Sequence, residues 1–174
     1  MSRPRFWKGM VAGLAGGLAG TIVMTGFQVG WQKTADALES RANGRIKSRS
    51  KSADQGEDAT EKAAAKIAKL ADQKLTRTQK KKGGAAVHYA FGTALGTAYG
   101  IAREYSLESV VPTLAGVSYG SAVFVGAHEF AVPALGLAES PKDAPLSERA
   151  FELGAHLVYG LTSEVVRKTV RGWL

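Results

Sequence analysis

Cysteine is absent from this chain of 174 residues. Neither a disulfide framework nor thiolate metal chemistry is therefore available to it. Histidine is scarce, with His88, His128 and His156 the only three. No Ser/His/Asp arrangement, H-E-x-x-H phrase or phosphate-cradling phrase appears, and the G-x-G-like spacings fall inside apolar stretches rather than after strands. An enzyme is the class these absences support least. The most basic segment lacks the interleaved aromatics of a single-strand platform, so no nucleic-acid partner is expected from its charge alone.

What the chain does contain is segregated. A polar block, residues 32–82, carries fourteen Lys/Arg against seven Asp/Glu and so supplies most of the net charge of +8. Around it lie four apolar stretches. Residues 9–31 hold no charged side chain and are flanked by Trp7 and Lys8 at one end and Lys33 just beyond Trp31 at the other. That length crosses a hydrocarbon core of about 30 Å as a helix, and Trp and Lys are the usual interfacial anchors. The competing signal-peptide reading is weaker, because the run is long for an h-region and no convincing A-x-A site follows.

The second stretch, residues 83–103, lies between Lys80, Lys81 and Lys82 and its own last residue, Arg103. A third spans residues 110–132, with Pro112 suited to a first helical turn and Pro133 after it. Residues 150–167 form the fourth and carry Glu152, His156 and Glu164. Such groups are tolerated within a membrane when they face a bundle interior. The expected fold is all-α: a four-span transmembrane bundle with a basic arm (1–8), a long loop (32–82), a second loop (133–149) and a short tail (168–174). A soluble helical protein with Ala/Gly-rich core helices is the competing reading.

Glycine spacing favours the membrane. Gly16/Gly20, Gly92/Gly96/Gly100 and Gly116/Gly120, with Gly160 on the last span, are small-xxx-small steps that let helix backbones approach where lipid gives no hydrophobic drive. In a soluble helix each glycine would cost about 1 kcal/mol relative to alanine. The spans also repeat. LAGGLAGTIVMTGFQ (14–28) and LAGVSYGSAVFVGAH (114–128) share six residues in register, and H-x-x-[FY]-G recurs at His88 and His156. Two similar helical hairpins follow from this, related as parallel repeats are.

With the long loop on side B and the termini on side A, helix direction brings Gln28, His88, His128 and His156 to one depth. At a rise of 1.5 Å per residue, all four fall within roughly 10 Å beneath side B. Glu129 and Glu152 adjoin this level, completing an expected polar layer. Three readings of it stay open. The imidazoles can be interhelical hydrogen-bonding glue, a proton-responsive cluster, or, as His88, His128 and His156 with a carboxylate, ligands for zinc or another divalent ion. Toward side A, Arg103 and Glu164 are expected to pair.

Within the loop, RANGRIKSRSKSADQGED reads as a mobile basic segment. A short amphipathic helix is expected near 58–72, capped by Asp58 or Thr60, with Ala64, Ile67, Ala68, Leu70 and Ala71 opposite three lysines. It suits anionic lipid or a position over side B. Lys/Arg number sixteen on side B and seven on side A, which puts B in the cytoplasm by the positive-inside rule, although the basic start RPRFWK argues the other way. The expected partners are the bilayer, anionic lipid at the basic loop and a second copy of the chain.

GMVAGLAGGLAGTIVMTGFQ, the phrase GEDAT, VHYAFGTALGTAYG and GAHLVYGLTSEVVR together resemble the YagU-like bacterial inner-membrane proteins, a family of unknown molecular function. The resemblance implies an inner-membrane location and a part in surviving acid stress. It carries no catalytic or binding residue.

Overall fold

A computed structural model of the chain describes residues 5–42, 58–106, 110–137 and 145–174, and within them not the side chains of Glu39, Ala42 and His128. Residues 43–57 of the expected mobile segment (41–58) and residues 138–144 of the second loop lie outside the described residues. Everything described is helix or short connection, with no strand among the described residues. The helices are α1 (Phe6–Ala42), α2 (Ala59–Leu70), α3 (Arg77–Tyr105), α4 (Pro112–Val123), a π-helical segment (Phe124–Ala131), α5 (Val132–Ala134) and α6 (Leu146–Trp173).

Three helices outrun the apolar stretches that predicted them. α1 continues through the polar sequence up to Ala42, because QKTADALESRA holds good helix formers and no breaker. α3 begins at Arg77 rather than at the end of the lysine run. A capping box sets that start: the Thr76 hydroxyl accepts from the Gln79 amide at 3.3 Å, and the Gln79 side chain accepts from the Thr76 amide at 2.8 Å. α6 runs to Trp173, so the expected C-terminal tail is helical. Helix α2 matches its expected position, with Asp58 as N-cap accepting from the Glu61 amide at 2.8 Å.

The third apolar stretch departs from a regular helix. α4 starts at Pro112 as expected, but from Phe124 to Ala131 the backbone winds as a π-helix. A face of spacing four running from Gly116 and Gly120 through Phe124 to His128 would need 3.6 residues per turn throughout. The wider π turn breaks it after Phe124.

Glycine decides how the helices meet. α1 has two glycine faces. Gly13 and Gly17 pack on α3, where a methyl group added to Gly17 would lie 2.9 Å from the Gly96 Cα. Gly16 and Gly20 pack on α6, where one added to Gly20 would lie 2.9 Å from the Tyr159 carbonyl. α6 is gripped on another side by Gly116 and Gly120 of α4, which face Gly160, Leu161 and His156. The repeated phrase therefore presents the same glycine pair, at 16/20 and 116/120, to one helix. The H-x-x-[FY]-G partners are less alike, since Phe91 is exposed and Tyr159 is buried.

The packing runs in the order α3, α1, α6 and α4, each helix against the next. The Tyr99 and Tyr119 rings, stacked 3.9 Å apart, join α3 to α4. Helix α2 sits across the B end: Ala64 and Glu61 meet Gly83 and Gly84 of α3, and Lys66 Nζ donates to the Leu135 carbonyl at 2.6 Å. Of its expected apolar stripe only Ala64 is buried, and Ile67 and Leu70 stay exposed. Phe27, Trp31 and Phe151 stack beneath that end between α1 and α6.

The interior combines a small apolar cluster, Met24, Ala155 and Tyr159 with Phe27, Tyr119 and Val123 against it, with buried polar groups. The largest fully buried side chains are Glu164, Thr21 and Ser163. Phe6, Trp7, Met10, Val11, Leu14, Leu18, Ile22 and Val23 of α1 all face outward. Among the described residues one helix, over Phe6–Leu38, is long and apolar enough to cross a membrane by length and composition. α3 falls short because its uncharged stretch is made largely of Gly, Ala, Thr, Tyr and His and so has a low mean hydropathy, α6 because arginines, lysines and glutamates punctuate it, and α4 is interrupted by the π turn.

Candidate functional site: a polar axis through the bundle

Polar side chains follow one another along the inside of the bundle. At the B end His156 is buried, its Nδ1 2.8 Å from the Glu152 carbonyl one turn earlier and its ring edge-on to Phe124. Glu152 thus joins the layer through its backbone. His88 is half-buried on α3, edge-on to Tyr89, with Asp58 of the α2 cap the nearby charge. Its Nε2 is buried and has no hydrogen-bond partner among the described residues.

The two histidines share a depth. Tyr159 of α6 donates to the Gly92 carbonyl of α3 at 2.6 Å, and each histidine lies about one turn before its member of that pair. Their immediate partners differ, α4 and its π segment for His156 and the α2 cap for His88. The side chain of His128 lies outside the described residues. Gln28 is half-buried near the end of the apolar part of α1. Glu129 accepts from Arg149 Nη2 at 2.7 Å, an ion pair that ties the π segment to the start of α6. Among the described residues no three His, Asp or Glu side chains are grouped so as to hold a metal ion. The expected zinc or divalent-ion site at His88, His128 and His156 is therefore not assembled from described side chains.

Deeper in, three tyrosines form the middle of the axis. Tyr159 spends its one hydroxyl proton on Gly92, so Tyr119, 2.9 Å away, donates to the Tyr159 oxygen. Tyr119 stacks on Tyr99, and the Arg167 guanidinium lies 6.0 Å from the Tyr99 ring centre. Only Tyr159 stood out in the sequence, as part of H-x-x-[FY]-G, yet a signal common to the three was there. Each immediately precedes a buried glycine, as Tyr99-Gly100, Tyr119-Gly120 and Tyr159-Gly160. Consecutive helical residues are turned by about 100°, so a glycine packed on its neighbour helix aims the tyrosine before it toward the axis.

Toward side A the axis becomes ionic. Glu164 is 0% exposed, and Arg167, one turn on, holds both of its oxygens at 2.6 and 2.8 Å. The expected pair with Arg103 is present as a longer contact of 3.5 Å. Arg167 is therefore the main partner, a choice the i,i+3 spacing makes available. Just beyond the apolar span Arg171 grips both oxygens of Glu104, Nη2 to Oε2 at 3.0 Å. The Arg5 amide donates to the same carboxylate at 3.3 Å. These bonds, led by the one from Arg171, hold the Glu104 carboxyl below the usual carboxylate range against the opposing effect of burial.

The class so defined is an all-helical bundle packed on glycine, apolar outside and polar within. Residues 63–165 match the family described as a protein of unknown function (DUF1440). That match covers more than half of the sequence, and the chain belongs to this family. No curated protein and no solved structure matches the chain.

Proposed function

We propose that the chain is a multi-pass membrane protein of four spans, α1, α3, α4 with its π segment, and α6, whose internal polar axis responds to protons at its histidine level. One observation carries the membrane reading: the large apolar side chains point outward while Glu164, Thr21, Ser163 and His156 are buried. In water that distribution exposes far more contiguous apolar surface than a monomer tolerates, whereas in lipid it is the expected one. Glycine-lined contacts from α1 to α3 and α6, and from α4 to α6, add to it.

The resemblance to the YagU-like proteins points to the bacterial inner membrane and to acid-stress survival. Charge bias puts loop 32–82 in the cytoplasm. Reporter fusions after Lys82 and at Leu174 test the topology, and activity on opposite sides of the membrane is required.

Proton response rests on His88 and His156, two imidazoles at one depth, the first half-buried and the second buried, where a charge change is costly and therefore consequential. Its test is the thermal midpoint of the detergent-solubilised protein from pH 5 to 8. A step within that range that disappears in His88→Asn and His156→Asn, with the fold retained, supports the reading. A competing structural reading draws on the bond from His156 to its own helix at Glu152. It predicts that the same replacements lower the midpoint equally at every pH.

A further inference from the structure

We propose that the A end of the bundle, around Arg103, binds a phosphate oxyanion delivered by the headgroup of an anionic phospholipid. The proposal rests on the membrane reading above. It concerns the end opposite the basic loop and needs no histidine.

Lys8, Arg103, Arg167 and Arg171 gather there with the carboxylates of Glu104 and Glu164; Arg5 lies near Lys8, whose Nζ donates to the Leu174 carbonyl. Each carboxylate is already gripped through both oxygens by one arginine, Glu164 by Arg167 and Glu104 by Arg171. Arg103 is left with the 3.5 Å contact to Glu164, and its Nε is buried without an acceptor among the described residues. A buried guanidinium donor without an acceptor is costly. Its planar fork matches a phosphate as well as a carboxylate.

The position suits a lipid headgroup. The Arg103 side chain is 16% exposed, so the site opens to the surface rather than lying sealed in the core. Trp7 and Trp173 are both exposed at this end, and Lys8 Nζ lies 5.5 Å from the Trp7 ring centre. Tryptophans collect at headgroup depth, which sets the cluster level with lipid phosphates. Acyl chains would then lie along the outward apolar face of α1, from Met10 to Val23.

The test is thermal unfolding of the full chain in neutral detergent, with added phosphatidylglycerol, phosphatidylcholine or inorganic phosphate. Phosphatidylglycerol is expected to raise the wild-type midpoint by several degrees, as a ligand of the folded state does, and phosphatidylcholine to do far less. Arg103→Gln abolishes the difference, while Lys62→Gln/Lys66→Gln/Lys69→Gln on α2 retains it. Should Arg103→Gln not fold, Arg103→Lys keeps the charge without the fork and is expected to lose most of the shift.

Equal shifts in wild type and both Arg103 variants overturn the site. A shift with inorganic phosphate alone identifies a free anion and overturns the lipid as source. A chain extracted without detergent fails the membrane reading instead, whereas an integral protein indifferent to phosphatidylglycerol sinks only this proposal.

Discussion

Arg167 holds both oxygens of Glu164 from one turn away on the same helix, and the carboxylate so held has no exposed surface. A buried pair of this kind is costly to break and cheap to replace as a unit. Glu164→Ala, which strands the Arg103 and Arg167 charges, is expected to lower stability by about 3 to 5 kcal/mol. Glu164→Leu combined with Arg167→Leu is expected to cost less than Glu164→Leu alone. Unfolding midpoints in detergent check both, and a double variant as unstable as the sum of the singles would refute the coupling.

Glycines on the packed faces are expected to resist substitution, whereas those with open space around them are not. Gly17→Ala places a methyl group 2.9 Å from the Gly96 Cα and is expected to cost about 1 to 3 kcal/mol through forced backbone shifts. Gly26→Ala on the same helix meets nothing within 4 Å and is expected to be neutral or stabilising, by up to about 1 kcal/mol. Equal effects of the two would mean that α1 packs elsewhere.

Tyr159 is the hinge of the tyrosine group, giving a proton to Gly92 and taking one from Tyr119. Tyr159→Phe removes both bonds and leaves the Tyr119 hydroxyl without its acceptor, for a loss of about 1 to 3 kcal/mol. Tyr119→Phe spares the bond to Gly92 and is expected to cost less. The same unfolding assay ranks them.

Glu104 supplies an acid-sensitive contribution outside the histidine level. Its carboxyl is held below the usual carboxylate range, chiefly by the bond from Arg171. A group depressed in the folded state stabilises above its unfolded value, and that stabilisation is lost as pH falls through the folded value. The midpoint is therefore expected to drop below about pH 4.5, the ordinary carboxylate range. Arg171→Gln removes the cause, so its midpoint should be lower at neutral pH and flatter below it. A profile for Arg171→Gln that parallels wild type at every pH would show that the bond does not contribute.

Much of the frame was legible because it is local. Helix type and rough extent follow from apolar length and caps, so Asp58 and Pro112 start their helices where the sequence puts them. Glycines at spacing four announce close contacts, and Gly92, Gly96, Gly116 and Gly120 make them. The ionic partnership of Glu164 was legible only in part. Arg103 lies at the right depth, but the choice of Arg167 depends on which side chain reaches around the helix inside a packed interior.

The segregation of apolar and polar residues, the glycine faces and the shared depth of His88 and His156 could be counted from the sequence alone along helices of known pitch. Only the tertiary structure decided that α6 is gripped from two sides by the repeated glycine pairs. It alone turned three tyrosines into one group, unwound Phe124–Ala131 into a π-helix and left Arg103 with a buried donor unmatched. The physical reason is that rotation of each helix about its own axis, which sets what its side chains meet, is fixed by contacts between segments far apart in the chain.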